Sequence, residues 1–231
     1  MIVMQPVVEA YSPEGFDLWP TAVAGPSGFL PLHSALSSAE VGSAVMCIAK
    51  CNDIDPDGDR PPRPADPLGS FLHGLLTFDT PFASGGLEVT DPSSGHAFLP
   101  GCCDGLEDWR DWYRLIEDGH TLTFGHEPVS PVAEHVGATV RLTANTDQPN
   151  SPVIELLATD LRALLAGVEQ SLLGFLDRAA AWALVHLPNL DVPVTTALAR
   201  AMDVPWPPAP PSIQAGALIR AEPSSAQRHR S

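Results

Sequence analysis

Between Thr159 and Leu187 the chain reads TDLRALLAGVEQSLLGFLDRAAAWALVHL, its longest run with helical spacing. Leu161, Leu164, Leu165, Val168, Leu172, Leu176 and Ala179 fall on one side of a 3.6-residue repeat. Arg162, Glu169, Asp177 and Arg178 make the segment too polar for a bilayer span. At about 1.5 Å per residue such a helix crosses a whole domain. It is expected to be the central core helix over 160–187, with Thr159 as its cap and Gly174 as a point of bending. Whatever surrounds it must cover that stripe, and this demand restricts the fold.

The covering elements read mainly as antiparallel strands. TVRLTA alternates around Val140 and Leu142, PVIELL is a second strand, and NTDQPNS joins them as a hairpin-like turn. GLEVTDPSSGHAFLPG reads as two extended pieces around DPSSG, MIVMQPVVEA as short strands broken at Pro6, and AGPSGFLP as turn chemistry. A helix begins near Ser37 or Ser38, with Val41, Val45, Ile48 and Ala49 on one face. Asp66-Pro67 opens a short helix, PLGSFLHGLLTF, as N-cap and first-turn proline. A further helix is expected from Gly105 to Glu117. Leu106, Trp109, Tyr113 and Ile116 form its apolar face, and Glu107/Arg110, Asp111/Arg114 and Arg114/Asp118 pair outside. TTALARAM is a last short helix. The pattern implies a single α+β domain over residues 1–204, with antiparallel strands packed on a long C-terminal helix and an acidic loop at 51–66. Residues 205–231 are proline-rich and are expected to form a disordered tail.

Charge sets the next constraint. The net charge is -16, and Lys50 is the only lysine among 12 basic residues. Phosphate binding needs clustered Lys and Arg, so nucleic acid is not an expected ligand. Residues 1–118 hold 18 acids against 5 bases, so an electrostatic partner should be basic and should meet the first half. The plainer reading of the charge is solubility. No basic leader precedes an apolar run, which leads us to expect a soluble, cytoplasmic protein without membrane contact. The bias toward Ala, Pro, Gly and Arg over Lys suggests a GC-rich bacterial genome. In that compartment Cys47, Cys51, Cys102 and Cys103 are expected as thiols or metal ligands, not disulfides.

Four groups of residues are candidate chemistry. Asp53, Asp55 and Asp57, followed by Gly58, match the D-x-D-x-D-G opening of a calcium loop after a helix. Pro64 stands where that loop needs a bidentate Glu, so the competing reading is an acidic linker of mutually repelling carboxylates. Cys47 and Cys51, four apart on a helix, can be joined by Cys102 and Cys103 around zinc, although zinc more often uses C-x₂-C pairs. Cys47 reads equally as a small core residue, with Cys51 ending the helix. Cys102 or Cys103 is a candidate nucleophile after the turn PG, since a helix N-terminus favours thiolate; Asp104 opposes this. The structural alternative has Asp104 capping the helix and at least one of these cysteines buried under Trp109. Finally, His120, His126 and His135 lie in a loop-rich stretch with Asp118, Glu127 and Glu134, at spacings that match no ligand template.

No cofactor is expected, and a non-catalytic role is preferred. The functional expectation is an acidic interaction protein, such as an immunity or antitoxin-type inhibitor or a regulatory subunit. Its partner would be held by Asp53, Asp55, Asp57, Asp59, Glu107, Asp108 and Asp111. The alternative is a thiol- or metal-dependent enzyme centred on Cys102 and Cys103.

Overall fold

The computed structural model describes residues 1–207 apart from Ser12, Pro13, Ala24, Pro26, Asp57, Asp59, Cys102, His126 and Glu127. The expectations for Asp57, Asp59, Cys102, His126 and Glu127, and for residues 208–231 of the tail, lie outside the described residues. In chain order the elements are β1 (Val3–Glu9), β2 (Phe29–Pro31), α1 (Ser38–Cys51), α2 (Pro67–Thr77), β3 (Gly85–Asp91) and β4 (His96–Phe98). A 3₁₀ turn (Leu106–Asp108) leads into α3 (Asp111–Glu117). Then follow β5 (Leu122–Thr123), β6 (Val132–Val136), β7 (Thr139–Thr143), β8 (Val153–Leu157), α4 (Ala158–His186) and α5 (Asp191–Ala201). The strands form two antiparallel sheets, ordered β2-β1-β3-β4 and β5-β6-β7-β8, and the α+β class stands. One contiguous apolar cluster runs through both. No helix of the described residues is long and apolar enough to cross a membrane.

The proline expected to break the first strand does not. Pro6 lies inside β1, opposite Leu87 of β3. In an antiparallel ladder a residue's N–H and C=O point to the same side. The Pro6 carbonyl accepts from Leu32 N–H at 2.9 Å, just past the end of β2. Its missing N–H therefore faces a place where β2 has already ended, and the β3 ladder loses nothing. FLP, expected as turn chemistry, forms β2 itself along residues 7–9.

The long helix is present, but it is not the most deeply buried one. Only one stripe of α4 is covered, from Leu161 to Ala183, and no side chain caps it: Leu157 holds the cap position and Thr159 lies in the first turn. Over about 43 Å it touches β7, β8 and α3 near its start, where Arg162 meets Glu117 at 3.3 Å. Farther on it packs on β1, α1 and α5. Gly174 serves approach to a neighbour: a Cβ there would lie 2.9 Å from the Ser34 Cβ. The residues of α1 from Val41 to Ala49 are all buried, so this helix is the one enclosed on every side. Small residues allow that, since Gly42, Ser43, Ala44 and Ala49 bring neighbours onto its backbone; a Cβ on Gly42 would strike the Pro20 carbonyl. Ser37 caps α1 in a reciprocal capping box with Glu40, and Asp66 caps α2 through Gly69 N–H.

PVAEHV forms β6, and His135 stands opposite Val140 in the β6–β7 hairpin. The final helix starts at Asp191, ahead of TTALARAM, and Trp206 packs against the core cluster.

Candidate functional site

Residues 82–86 are held from two directions. Asn52, at the end of α1 and 1% exposed, donates its amide to Ile48 O at 2.7 Å and Phe82 O at 2.8 Å, and accepts from Phe82 N–H at 2.9 Å. Gly85 donates to Asp104 O at 3.0 Å, and Leu106 donates to Ala83 O at 2.9 Å, laying 104–106 along 83–85. Gly85 has φ +146°, and a Cβ there would fall on the Val7 carbonyl, so only glycine closes this approach. The chain then enters the 3₁₀ turn and α3, not the single helix over 105–117 expected from spacing. The break rotates the apolar face. Trp112 and Leu115 are buried with Leu106 and Trp109, while Tyr113 and Ile116 are only half covered.

The result is a small cleft between α3, β3 and the 98–105 and 122–124 segments, with a volume of about 110 Å³. Phe98, Trp112 and Phe124 form one wall, with Phe98 edge-on to both other rings and Trp112 stacked on Phe124 at 5.4 Å. Trp109 lies on another side, its indole N–H donating to Met202 O at 3.0 Å. Three carboxylates complete the lining: Asp104, Asp108 and Asp111. A water occupies about 30 Å³ and drug-sized ligands need about 300 Å³ or more. The space therefore suits a single polar head rather than a whole metabolite.

The carboxylates crowd one another. Burial pushes the Asp104 carboxyl up, opposed by backbone N–H donation from Gly125 and Gly101, with the Asp108 charge adding to the rise. Asp108 is exposed at the rim of the cleft; partial desolvation of its carboxyl and the neighbouring Asp111 charge still raise it. Asp111 meets Arg114 at 3.4 Å, an exposed pair of little strength. Arg110, expected to pair with Glu107, turns elsewhere: it meets Glu169 at 3.0 Å and Asp203 at 2.9 Å and lies over the Trp109 ring. Glu107 is half-buried, with Oε2 unpartnered among the described residues and its carboxyl raised by burial. It folds back over Gly105 and is not part of the cleft lining.

Asp104 does not cap the following helix. Gly105 occupies the cap position of the 3₁₀ turn without a side-chain bond, and the Asp104 carboxylate accepts from Gly101 N–H at 2.8 Å. Cys103 is exposed, not buried under Trp109, and holds a left-handed φ of 68°. Cys47 is buried on α1, accepting from Tyr11 N–H at 3.5 Å, and burial pushes its thiol up. Cys51 ends α1 and lies 3.6 Å from the Tyr11 hydroxyl; burial and that contact raise the phenol. Among the described residues no three His, Cys, Asp or Glu side chains converge as a metal ion requires, so Cys103 does not join Cys47 and Cys51.

The acidic loop already has a cation. Arg63 bonds the Asp53 carboxylate, approaches Asp55 at 3.8 Å, and donates to Ile54 O at 3.0 Å and Ser70 O at 2.9 Å. Asp53 and Asp55 are thus gathered around a guanidinium instead of simply repelling each other. Of the histidines, His96 lies on β4 beside Val153 O at 3.4 Å, and His120 is exposed after α3.

Asp104 and the aromatic wall were not identified as a site from sequence, because Phe98, Trp112 and Phe124 belong to three separated segments. The only local hint was the density of Asp and Trp in DGLEDWRDW. Among protein-family models, curated proteins and solved structures, none matches this chain.

Proposed function

We propose that this protein is a non-catalytic interaction protein, of the kind an inhibitor or regulatory subunit represents, that holds a basic protein partner at the cleft of Asp104, Asp108 and Asp111. One observation carries the reading: three carboxylates share a side-chain-sized cleft with aromatic rings. An arginine or lysine head would relieve the crowding of like charges and make charge-assisted hydrogen bonds beside a water-poor aromatic wall. Asp53 and Asp55 of the expected acidic surface give weaker support, since Arg63 already engages both. The net charge of -16 favours fast association with a cationic surface.

The test is the association of short arginine-containing peptides with the whole protein at low and high salt. The expected result is a rate that falls steeply with ionic strength and drops about tenfold or more in the Asp108→Asn, Asp111→Asn double variant. Equal binding by wild type and variant would remove the cleft from the reading. A second reading, a thiol enzyme, is favoured by one feature, the exposed Cys103 at φ 68° beside Asp104. Alkylation of Cys103 at neutral pH no faster than that of a small thiol would dismiss it.

A further inference from the structure

We infer that the partner presents an extended segment, with one basic head in the cleft and apolar residues laid along a neighbouring groove. This rests on the reading above and extends it to what the partner must carry beside its charge. The groove has a volume of about 560 Å³, and Pro100 stands on the walls of both it and the cleft. Phe29, Leu99, Pro128, Val129, Pro131 and Pro152 are among its lining residues, with Asn145, Gln148 and Ser151 as polar members. The prolines bring no N–H, so this wall offers contact area and few donors. Leu99 and Val129 remain 38% and 50% exposed, although both are apolar.

The two hollows share the Pro100 wall, and Gly101 beside it lines the groove. Gly101 packs on the backbone of Phe124 and Gly125, where a Cβ has no room, and it donates to Asp104 at 2.8 Å. A chain that anchors a cation among Asp104, Asp108 and Asp111 meets Pro100, which belongs to the apolar groove as well. Charge decides the occupant. A second copy of this chain carries the same net charge of -16 and is repelled, as nucleic acid is, by the same field. A free amine would leave the groove empty. A basic segment flanked by apolar residues satisfies both parts.

The experiment scans short labelled peptides with one central arginine or lysine, flanked on either side by Leu, Val and Pro or by Ser and Gly. They are titrated against the whole protein at low salt. Apolar flanks on one side of the basic residue should tighten binding at least about tenfold. The Leu99→Ser, Val129→Ser double variant should lose that flank preference while still requiring the basic residue. Both substitutions are at partly exposed positions and leave the core intact. The Asp108→Asn, Asp111→Asn variant should lose the requirement for the basic residue. Basic peptides that bind equally with either flank, or a flank preference that survives Leu99→Ser, Val129→Ser, would overturn the groove assignment and leave the basic-partner reading standing. No binding of any basic peptide at low salt would overturn both.

Discussion

Asn52 is the residue whose loss should cost most for its size. It is buried, and its amide group makes three hydrogen bonds of 2.7–2.9 Å, joining the end of α1 to the backbone of Phe82. Asn52→Ala removes all three and strands the Phe82 N–H and C=O. At about 1 kcal/mol for each bond, plus a share of desolvation for the orphaned groups, the loss should be about 3–5 kcal/mol. That is a large part of a typical total of about 5–15 kcal/mol. In a domain of this size it should lower Tm by about 10 °C. Asn52→Asp gives a sharper test. The new carboxylate would face two carbonyl oxygens that the amide had donated to, so its folded pKa must rise above the unfolded value. A group raised in this way binds more protons folded than unfolded, and its stability is lost as pH rises through the folded pKa. The gap between the Asp variant and wild type should therefore be widest at neutral pH and narrow as pH falls toward about 4. Urea unfolding across pH, followed by tryptophan fluorescence, measures both effects. A loss under about 1 kcal/mol for Asn52→Ala, or a pH-independent gap for Asn52→Asp, would refute the assignment of these bonds as the tie between α1 and the Phe82 backbone.

Three further outcomes are expected. Gly74→Ala should destabilise by about 2–3 kcal/mol in urea unfolding, although alanine normally favours a helix by about 1 kcal/mol, because a Cβ there would fall on the Asn52 carbonyl oxygen. Asp108→Asn should raise Tm slightly, by about 1 °C, at pH 7. The sign follows from the raised folded pKa of Asp108: its cost appears as pH rises through that value, so the gain should vanish in acid, and a gain that persists there would contradict the argument. Arg63→Ala should cost about 1–2 kcal/mol and speed amide exchange across residues 53–55, since it releases Asp53, Ile54 O and Ser70 O together; unchanged exchange would show that the loop holds without it.

Local chemistry was legible wherever neighbours in sequence decide the outcome. Ser37 and Asp66 cap because their side chains reach N–H groups three residues on. The DPSSG turn, the TVRLTA and PVIELL strands and the apolar stripe of α4 follow from short periodic patterns, and they suffice to give the α+β class. Tertiary structure decided what those patterns leave open. Pro6 is tolerated in a strand because β2 ends beside it, and no local rule knows where a partner strand stops. α1 and not α4 is enclosed, because enclosure depends on how many elements pack around a helix and not on its length. The helix expected at Gly105–Glu117 is broken after Asp108 because 104–106 is tied along 83–85, a constraint from twenty residues away. The same tie brings Asp104 beside Asp108, and the fold brings Phe98, Trp112 and Phe124 against them. Sequence supplied the excess of acid. Only the folding of distant segments together turned part of it into a cleft, because the desolvation and like-charge crowding that set those carboxylates apart depend on neighbours in space.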